Sequence, residues 1–485
     1  MKGVLVRMNS IQKNFIYNVL YQVLLVVLPL VTAPYISRTL GANAVGIYSY
    51  TNSVAYYFLL VAMLGISNHG NRSIAAVRDN QKELDRTFSS IFTLQAFLYA
   101  IAIISYVFYV CVFTKDNRSI YIIQVLYVVS GLFDISWLFF GLEKFKLTVT
   151  RNVVIKLLTV VCIFVFVHTP DDLWKYTLIM TLGMLISQMY LWFYVRDNVK
   201  YTLPNVREVI SHVKPVIVLF IPVLAYSIYK VMDKIMLGNM ADFTQVGFYN
   251  NAEKIINIPM GIITALGTVM LPRMSNLIAN GNGDVAHKYI RVSMKLVTLI
   301  ASAITFGLIG ISDILAPVFF GTEFIPCAPI MKLLAITVFF VSWANVIRTQ
   351  YLIPNHLDSI YITSTVVGAV LNLVINWMLI PIFQANGAAI GTIVAEFTVM
   401  LIQMICVRKE LPVYKCIFEY LPIMVIGIVM MFFTQYLGGI LGERIITILI
   451  QIICGGVLFC VLSVLYYIIG KDELGIMAMK MIKRK

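Results

Sequence analysis

Three charged side chains follow one another at helical spacing inside a strongly apolar stretch of the sequence. Lys230, Asp233 and Lys234 lie three and four positions apart, so a helix places them on one face. The next apolar stretch carries another acid and base near its start, Glu253 and Lys254. A charge at membrane depth costs at least about 2.5–3.5 kcal/mol and commonly marks a pathway for an ion or a charged substrate.

Arg38, in the connection after the first apolar stretch, completes a group of four positive and two negative charges. This surplus of positive charge suits an anionic group such as a phosphate, whose oxygens accept several charge-assisted hydrogen bonds. The alternative is that the lysines simply extend their ammonium groups to the membrane surface, while neighbouring acids neutralise them. Both interpretations stay open at the level of sequence.

Two further carboxylates and two further bases are candidates for transport chemistry. Asp134 and Glu396 fall inside apolar stretches, where a carboxylate could bind a proton or a sodium ion and couple transport to a gradient. For Asp134 the alternative is a structural ion pair with Lys156. Arg348 and His356 flank the inner end of a later apolar stretch and could meet a phosphate from the cytoplasm, although ordinary basic loops explain them equally well.

The motifs of soluble enzyme chemistry are absent from the sequence. GNGDVA at 281–286 matches a dinucleotide-binding pattern only formally, because no strand precedes it. There is no GxxxxGK[ST], no HExxH and no GxSxG, and the five histidines are scattered. We therefore predict no catalytic residue, no metal site and no cofactor, apart from coupling to H⁺ or Na⁺.

The composition indicates a protein that spans a membrane many times. Of the 485 residues, 60% are apolar and only 12% are charged, which is too few charges to cover the surface of a soluble protein. A helix needs roughly 20 mainly apolar residues to cross the hydrocarbon core. Fourteen such stretches are predicted, at 15–37, 45–66, 88–110, 119–141, 147–167, 173–195, 214–238, 246–271, 290–312, 328–350, 360–382, 386–407, 419–438 and 445–469.

The distribution of basic residues predicts the orientation of these spans. With the loops numbered alternately, 27 lysines and arginines fall on the side of the N-terminus and 5 on the other side. Loops rich in lysine and arginine face the cytoplasm, so both termini are predicted to be cytoplasmic. The net charge of +14 is dispersed between apolar stretches in the same way, which argues against nucleic-acid binding.

A short motif recurs six predicted spans apart. Residues 38–48 read RTLGANAVGIY and residues 235–249 read IMLGNMADFTQVGFY, and we call these the first and second hairpin turns. Because six is even, both start from the cytoplasmic side, which predicts two parallel-related halves. The predicted domains are a six-helix bundle at 1–198, a cytoplasmic linker at 199–213, a second six-helix bundle at 214–410, and two further spans with a basic cytoplasmic tail at 411–485.

Several stretches together resemble the bacterial polysaccharide (Wzx-type) flippases of the multidrug/oligosaccharidyl-lipid/polysaccharide (MOP) exporter superfamily. They are PYISRTLGANAVGIYSY, FDISWLFFGLEKFKLTVTRNVVIKL, IPVLAYSIYKVMDKIMLG, VGFYNNAEKI and the run from YLIPNHLDSI to GTIVAE that ends at Glu396. The resemblance implies an all-α, V-shaped membrane fold like that of the multidrug (MATE) exporters. It also implies that undecaprenyl-pyrophosphate-linked oligosaccharide is moved from the inner to the outer leaflet for capsule, O-antigen or exopolysaccharide synthesis. Membrane lipid, a glycan polymerase and chain-length proteins are the implied partners.

Three other functions compete with this interpretation. A cation-coupled drug antiporter or a flippase for another anionic lipid precursor would share the architecture. An antiporter for cations would be expected to have carboxylates in its cleft, but the first predicted span contains none and the charges of the predicted cleft are net positive. A membrane glycan polymerase would be expected to carry its acidic residues on a long outer loop, and every predicted outer loop is short.

Overall fold

The computed structural model describes residues 10–411 and 413–470, and for residues 10–27, 221, 222, 225, 226, 229 and 413–419 it describes the backbone alone. Within these residues the chain is helical, with no strand. The first nine α-helices are α1 (Ser10–Met63), α2 (Ile66–Val77), α3 (Gln81–Phe113), α4 (Arg118–Leu132), α5 (Ser136–Gly141), α6 (Phe145–Phe166), α7 (Leu173–Tyr190), α8 (Val206–Ser211) and α9 (Val213–Met240). The remaining six are α10 (Phe243–Ala279), α11 (Gly283–Leu315), α12 (Cys327–Ile347), α13 (Asp358–Val407), α14 (Val413–Leu441) and α15 (Ile445–Ile469).

Two of the long helices are broken by a sharp kink. In α1 the kink is at Gly41, whose φ of 77° lies in the left-handed region that glycine adopts without steric cost. In α13 it is at Gln384, with φ 52° and ψ −128°. Each kink falls where the sequence predicts the end of one span and the start of the next, so each long helix contains two of the predicted spans.

By length and apolar character, eleven helical segments of the described chain could cross a membrane. They include the long segments Leu28–Val77 and Asp358–Val407, which contain the two kinks. The prediction of an all-helical membrane protein is confirmed, whereas the count of fourteen spans stays a prediction. The predicted basic tail lies outside the described residues.

The chain divides into two compact units, residues 1–247 and residues 248–485. In the first unit α1 packs against α3, α4, α6, α7 and α9. Thus α9, which the sequence predicts to be part of the second bundle, packs within the first unit. The predicted domain boundaries themselves stay a prediction.

The core of the first unit is aromatic near the predicted cytoplasmic end. Trp137, Phe88 and Tyr99 are at most 1% exposed, and the Trp137 indole N–H donates to Gln95 Oε1 at 3.0 Å. The same Gln95 Nε2 lies within hydrogen-bond distance of the carbonyl oxygens of Gly131, Leu132 and Asp134, at the break between α4 and α5. One buried side chain therefore shares its two N–H groups among the carbonyls of this break and holds it in place.

In the second unit α11 packs against α12, α14 and α15, and α12 packs against α13. The buried contacts of α14 and α15 include Ile423, Met430 and Phe459. The opposite sides of these two helices are covered with exposed apolar residues; Phe432, Ile453 and Ile469, for example, are 61–80% exposed. Such faces are stable only in contact with lipid, as expected for a membrane-spanning unit.

Candidate functional site

The three charged residues of α9 lie on one face, as their spacing predicts. The helix is continuous from Val213 to Met240. Asp233 is only 2% exposed, whereas Lys230 and Lys234 are half-buried. Two lysines with one buried carboxylate give this face a surplus of positive charge.

Arg38 is exposed in α1, three residues before the kink at Gly41, and belongs to the first unit together with α9. Glu253 and Lys254 are half-buried near the start of α10 and belong to the second unit. The structure therefore places Arg38, Lys230, Asp233 and Lys234 in one compact unit. That all six side chains form one binding site stays a prediction.

The two hairpin turns pack against each other through their glycines. An ideal Cβ on Gly46 would lie 1.6 Å from the carbonyl oxygen of Phe243, and one on Gly247 would lie 2.1 Å from the carbonyl oxygen of Ala42. Real Cβ atoms do not approach an oxygen so closely, so each copy of the motif requires its glycine for the other copy to pack on it. The glycines of the repeated motif therefore serve a close approach of two backbones.

Polar and aromatic contacts surround this glycine contact. The Tyr50 hydroxyl donates to Asn239 Oδ1 at 2.7 Å, and the Tyr50 ring covers Gly238, where a Cβ would lie 2.1 Å from Cδ2. The Tyr50 and Phe243 rings meet edge to face at 5.3 Å. These interactions fix the register of α1 on the end of α9.

Arg348 and His356 flank the connection between α12 and α13 in the second unit. Arg348 begins a π-helical turn, Arg348–Leu352, and its guanidinium lies 5.3 Å from the centre of the Tyr361 ring. His356 is exposed and has a φ of 58°, the left-handed conformation typical of a residue that ends a helix. The position of His356 thus has a local structural explanation, and its predicted contact with phosphate remains untested.

Asp134 lies in the break between α4 and α5. Its carboxylate accepts a hydrogen bond at 3.0 Å from the backbone N–H of Ser136, the first residue of α5. This interaction satisfies one of the N–H groups that every helix start leaves without a partner. The structure therefore gives Asp134 a capping role, and an ion-coupling role for it stays a prediction.

Glu396 is 6% exposed in the second half of α13. The two halves of this helix pack on each other. The Gln403 amide donates to Ser364 Oγ at 3.1 Å, and a Cβ on Gly368 would lie 2.5 Å from Val399 Cγ2. A carboxylate buried in such a helix pair is costly when charged, which is the property expected of a group that binds an ion.

A further turn of the same kind was not identified from the sequence. At Gln384 a residue with positive φ is followed by Ala385 and Asn386, just as Gly41 is followed by Ala42 and Asn43. Both alanines are at most 1% exposed. The two turns share an Ala-Asn pair in sequence, with a glycine several residues later. This pattern is too short to be distinguished from a chance match until the backbone conformation is known.

Among the described residues, no three histidine, cysteine, aspartate or glutamate side chains converge on a point that could hold a metal ion.

A family model described as "Polysaccharide biosynthesis protein" matches residues 11–278, more than half of the chain. The chain belongs to this family. The match includes both hairpin turns and the charged face of α9, and it confirms the resemblance to Wzx-type proteins of the MOP superfamily that the sequence motifs indicate.

The chain is also similar to a curated protein and to solved structures. The chain is 26% identical over 412 residues to a protein of Escherichia coli (strain K12) named "Putative O-antigen transporter", with 83% of this chain and 97% of that protein covered. The structure of the lipid II flippase MurJ in an inward closed conformation superposes with a TM-score of 0.76 at 14% identity, covering 93% of this chain and 98% of that one. An inward-facing MATE multidrug transporter gives a TM-score of 0.60 at 12% identity, covering 80% and 99%. These two likenesses concern the fold alone.

Proposed function

We propose that this protein is a flippase for undecaprenyl-pyrophosphate-linked oligosaccharide repeat units. It moves them from the inner to the outer leaflet of a bacterial plasma membrane, for capsule, O-antigen or exopolysaccharide synthesis. The observation that carries the proposal is the family match, which spans both hairpin turns and the charged face of α9. The name of the Escherichia coli relative, a transporter of O-antigen, supports a lipid-linked glycan as the substrate.

The charges on α9 favour an anionic substrate. Lys230 and Lys234 are half-buried beside the buried Asp233, so the helix carries a positive surplus where desolvation is costly. A pyrophosphate offsets that cost, because its oxygens accept charge-assisted hydrogen bonds from the lysines. A drug antiporter of the MATE type would instead attract cations with carboxylates, and this face supplies only one.

The contact between the hairpin turns supports transport by alternating access. At Gly46 and Gly247 the contact is between backbones, so at these two positions the surfaces can part without rotamer rearrangement. A hydrogen bond such as Tyr50 to Asn239 is worth only about 0.5–1.5 kcal/mol, which is small enough for substrate binding to break. In the proposed cycle this contact is closed on the outer side while substrate enters from the cytoplasm, and it opens for release.

Coupling to an ion gradient belongs to the same proposal. Glu396 is the strongest candidate on burial, because at 6% exposure its charged form lacks bulk water. Asp134 is weaker, since its carboxylate already accepts the Ser136 N–H. We also propose that both termini are cytoplasmic. The implied partners are a glycan polymerase and chain-length proteins.

The test is reconstitution of the purified chain in vesicles that contain a lipid-linked oligosaccharide. We expect the glycan to become accessible to an impermeant lectin or glycosidase at a rate that depends on the protein. A vesicle with an unrelated multi-span protein is the control. Accessibility equal to the control would overturn the proposal, as would formation of new glycosidic bonds by the purified chain, which would indicate a polymerase.

A second transport assay distinguishes the two alternative functions, a drug antiporter and a flippase for another anionic lipid. If vesicles expel a cationic dye in exchange for H⁺ or Na⁺ and leave the glycan lipid in place, the chain is a drug antiporter. If undecaprenyl pyrophosphate carrying a peptidoglycan precursor is moved in preference, the substrate is another anionic lipid.

A further inference from the structure

Two histidines 143 residues apart in sequence meet in the first unit. His69 Nε2, on α2, lies 2.8 Å from His212 Nδ1, on the residue that immediately precedes α9. The two rings are 5.0 Å apart and inclined at 60°. Both side chains are half-buried. None of the functional roles assigned above uses this pair.

The neighbouring hydrogen bonds indicate which of the two histidines donates to the other. The Ser90 hydroxyl has one proton, which it donates to the carbonyl of Thr87 at 3.1 Å. When the proton is placed in this bond, Ser90 Oγ accepts from His212 Nε2, 2.9 Å away. A neutral His212 then has a lone pair on Nδ1, so His69 Nε2–H is the donor between the rings. One more proton can be added to His69 Nδ1 without disturbing this chain of bonds.

A second proton cannot be added without breaking the contact. Once His212 is also a cation, its Nδ1 carries a hydrogen that faces the hydrogen on His69 Nε2. The pair then loses its hydrogen bond and gains the repulsion of two positive rings. The contact is thus compatible with no proton or one extra proton, and incompatible with two.

The surrounding charges come from each helix that packs here. Arg72 follows His69 on α2, and Glu208 of α8 approaches His212 while it binds Arg86 of α3 at 2.6 Å. Burial lowers the pKa of His212, the nearby His69 lowers it further, and Glu208 opposes both by raising it. The folded arrangement therefore favours the neutral imidazole at His212.

The pair lies one helical turn from a tight crossing. An ideal Cβ on Gly65 would lie 2.4 Å from the carbonyl oxygen of Val216. Residues 65 and 69 thus oppose residues 216 and 212, so α2 and the start of α9 run antiparallel in close contact. Because α9 is continuous over 28 residues, the helix that begins directly after His212 is the same helix that carries Lys230 and Lys234 and ends beside Tyr50.

We propose that His69 and His212 form a proton-binding site that fastens α2 to the start of α9 and releases it when the pair takes up its second proton. The direction of the pH dependence follows from the neutral state of His212. The contact between the two histidines is complete at high pH and is lost as pH falls through the second protonation step. Because free histidine titrates near pH 6.5 and burial opposes the charge, that step lies below about pH 6.5. Proton binding at one end of α9 would thereby change the position of the charged face at the other end.

The first test is a histidine titration of the full-length protein in lipid nanodiscs, with ¹³C-labelled histidine observed by NMR. The chain has five histidines, which single substitutions assign. We expect His69 and His212 to titrate in two coupled steps separated by at least about one pH unit. His212→Gln should convert His69 to a single step, and His69→Gln should do the same for His212. His356→Gln, at an exposed site in the other unit, should leave both curves unchanged.

The second test measures the separation of the helices directly. Spin labels at Asn68 and Lys214, both exposed, report the distance between α2 and the start of α9. We expect a single short distance at about pH 7.5 and a longer component at about pH 5.5, on either side of the histidine pKa. In the His69→Gln/His212→Gln protein the distance should not depend on pH. Independent single-step titrations, or a distance that does not change with pH in the natural protein, would overturn the proposal; neither measurement depends on transport.

Discussion

The carbonyl oxygen of Phe243 occupies the place where a side chain at position 46 would begin, since an ideal Cβ on Gly46 would lie 1.6 Å from it. The two positions belong to the two copies of one sequence motif. The glycine of one copy leaves the space that the backbone of the other copy occupies. The position of the glycine within the motif is therefore fixed by packing.

Gly46→Ala should therefore separate the two hairpin turns. Forcing a methyl group into a packed site costs about 1–3 kcal/mol, which exceeds the roughly 1 kcal/mol that alanine gains over glycine within a helix. A cysteine pair at Asn43 and Thr244, whose side chains are 3.4 Å apart, reports the contact through disulfide formation. We expect the cross-linking yield to fall severalfold in the Gly46→Ala background. Gly439→Ala, at a site with nothing within 4 Å of a Cβ, is the control and should leave it unchanged.

The Tyr50–Asn239 hydrogen bond should contribute measurably to the stability of the contact between the hairpin turns. Tyr50→Phe removes the hydroxyl and keeps the ring against Gly238, so the loss should be about 0.5–1.5 kcal/mol. Asn239→Ala should cost a similar amount, and the double variant little more than either alone, as judged by thermal denaturation in detergent. Tyr436→Phe, on a side chain that is 68% exposed, should have no effect. Additive losses in the double variant would show that the two side chains do not interact.

Reversal of charge at Arg38 and Lys234 should block export of surface polysaccharide. In Arg38→Glu/Lys234→Glu the group formed by Arg38, Lys230, Asp233 and Lys234 changes from a net charge of +2 to −2, and a pyrophosphate is repelled. We expect normal membrane insertion and loss of surface glycan, detected with specific antibody. Lys115→Glu/Arg118→Glu makes the same change of charge beside the connection between α3 and α4 and should export normally. Normal export by the first variant would rule out the proposed phosphate contact.

Asparagine and alanine at position 134 should distinguish capping from ion binding. Asp134→Asn keeps an oxygen that accepts the Ser136 N–H, so stability and transport should change little if the carboxylate only caps α5. Asp134→Ala should lower the free energy of unfolding by about 1 kcal/mol. If Asp134→Asn keeps its thermal stability but loses the response of transport to an ion gradient, the capping role is not the whole function of this residue.

Glu396→Gln should uncouple transport from the gradient without unfolding the protein. The amide has nearly the same volume and lacks the charge that is costly to bury at 6% exposure, so stability should be unchanged or higher. We expect flipping in vesicles to become insensitive to imposed H⁺ and Na⁺ gradients. Glu443→Gln, which alters an exposed carboxylate between α14 and α15, is the control. An unaltered gradient response would assign coupling elsewhere.

Much of the architecture follows from the sequence because the membrane imposes a length on each apolar run. The predicted ends near residues 37–45 and 382–386 coincide with the kinks at Gly41 and Gln384. The face shared by Lys230, Asp233 and Lys234 also follows from spacing, since α9 is a regular helix. These are local properties, and a local pattern is sufficient to predict them.

The contacts between distant segments could not be predicted in this way. The sequence identifies the two hairpin turns as copies, yet nothing in either copy indicates that Gly46 and Gly247 face the partner's backbone. His69 and His212 carry no motif at all, and Asp134 resembles an ion site until its bond to Ser136 is seen. The sequence by itself determined the helices, their predicted orientation and the family, because burial in lipid acts on each segment separately. Only the tertiary structure decided which glycines, histidines and tyrosines meet, because those contacts depend on how helices far apart in the chain cross.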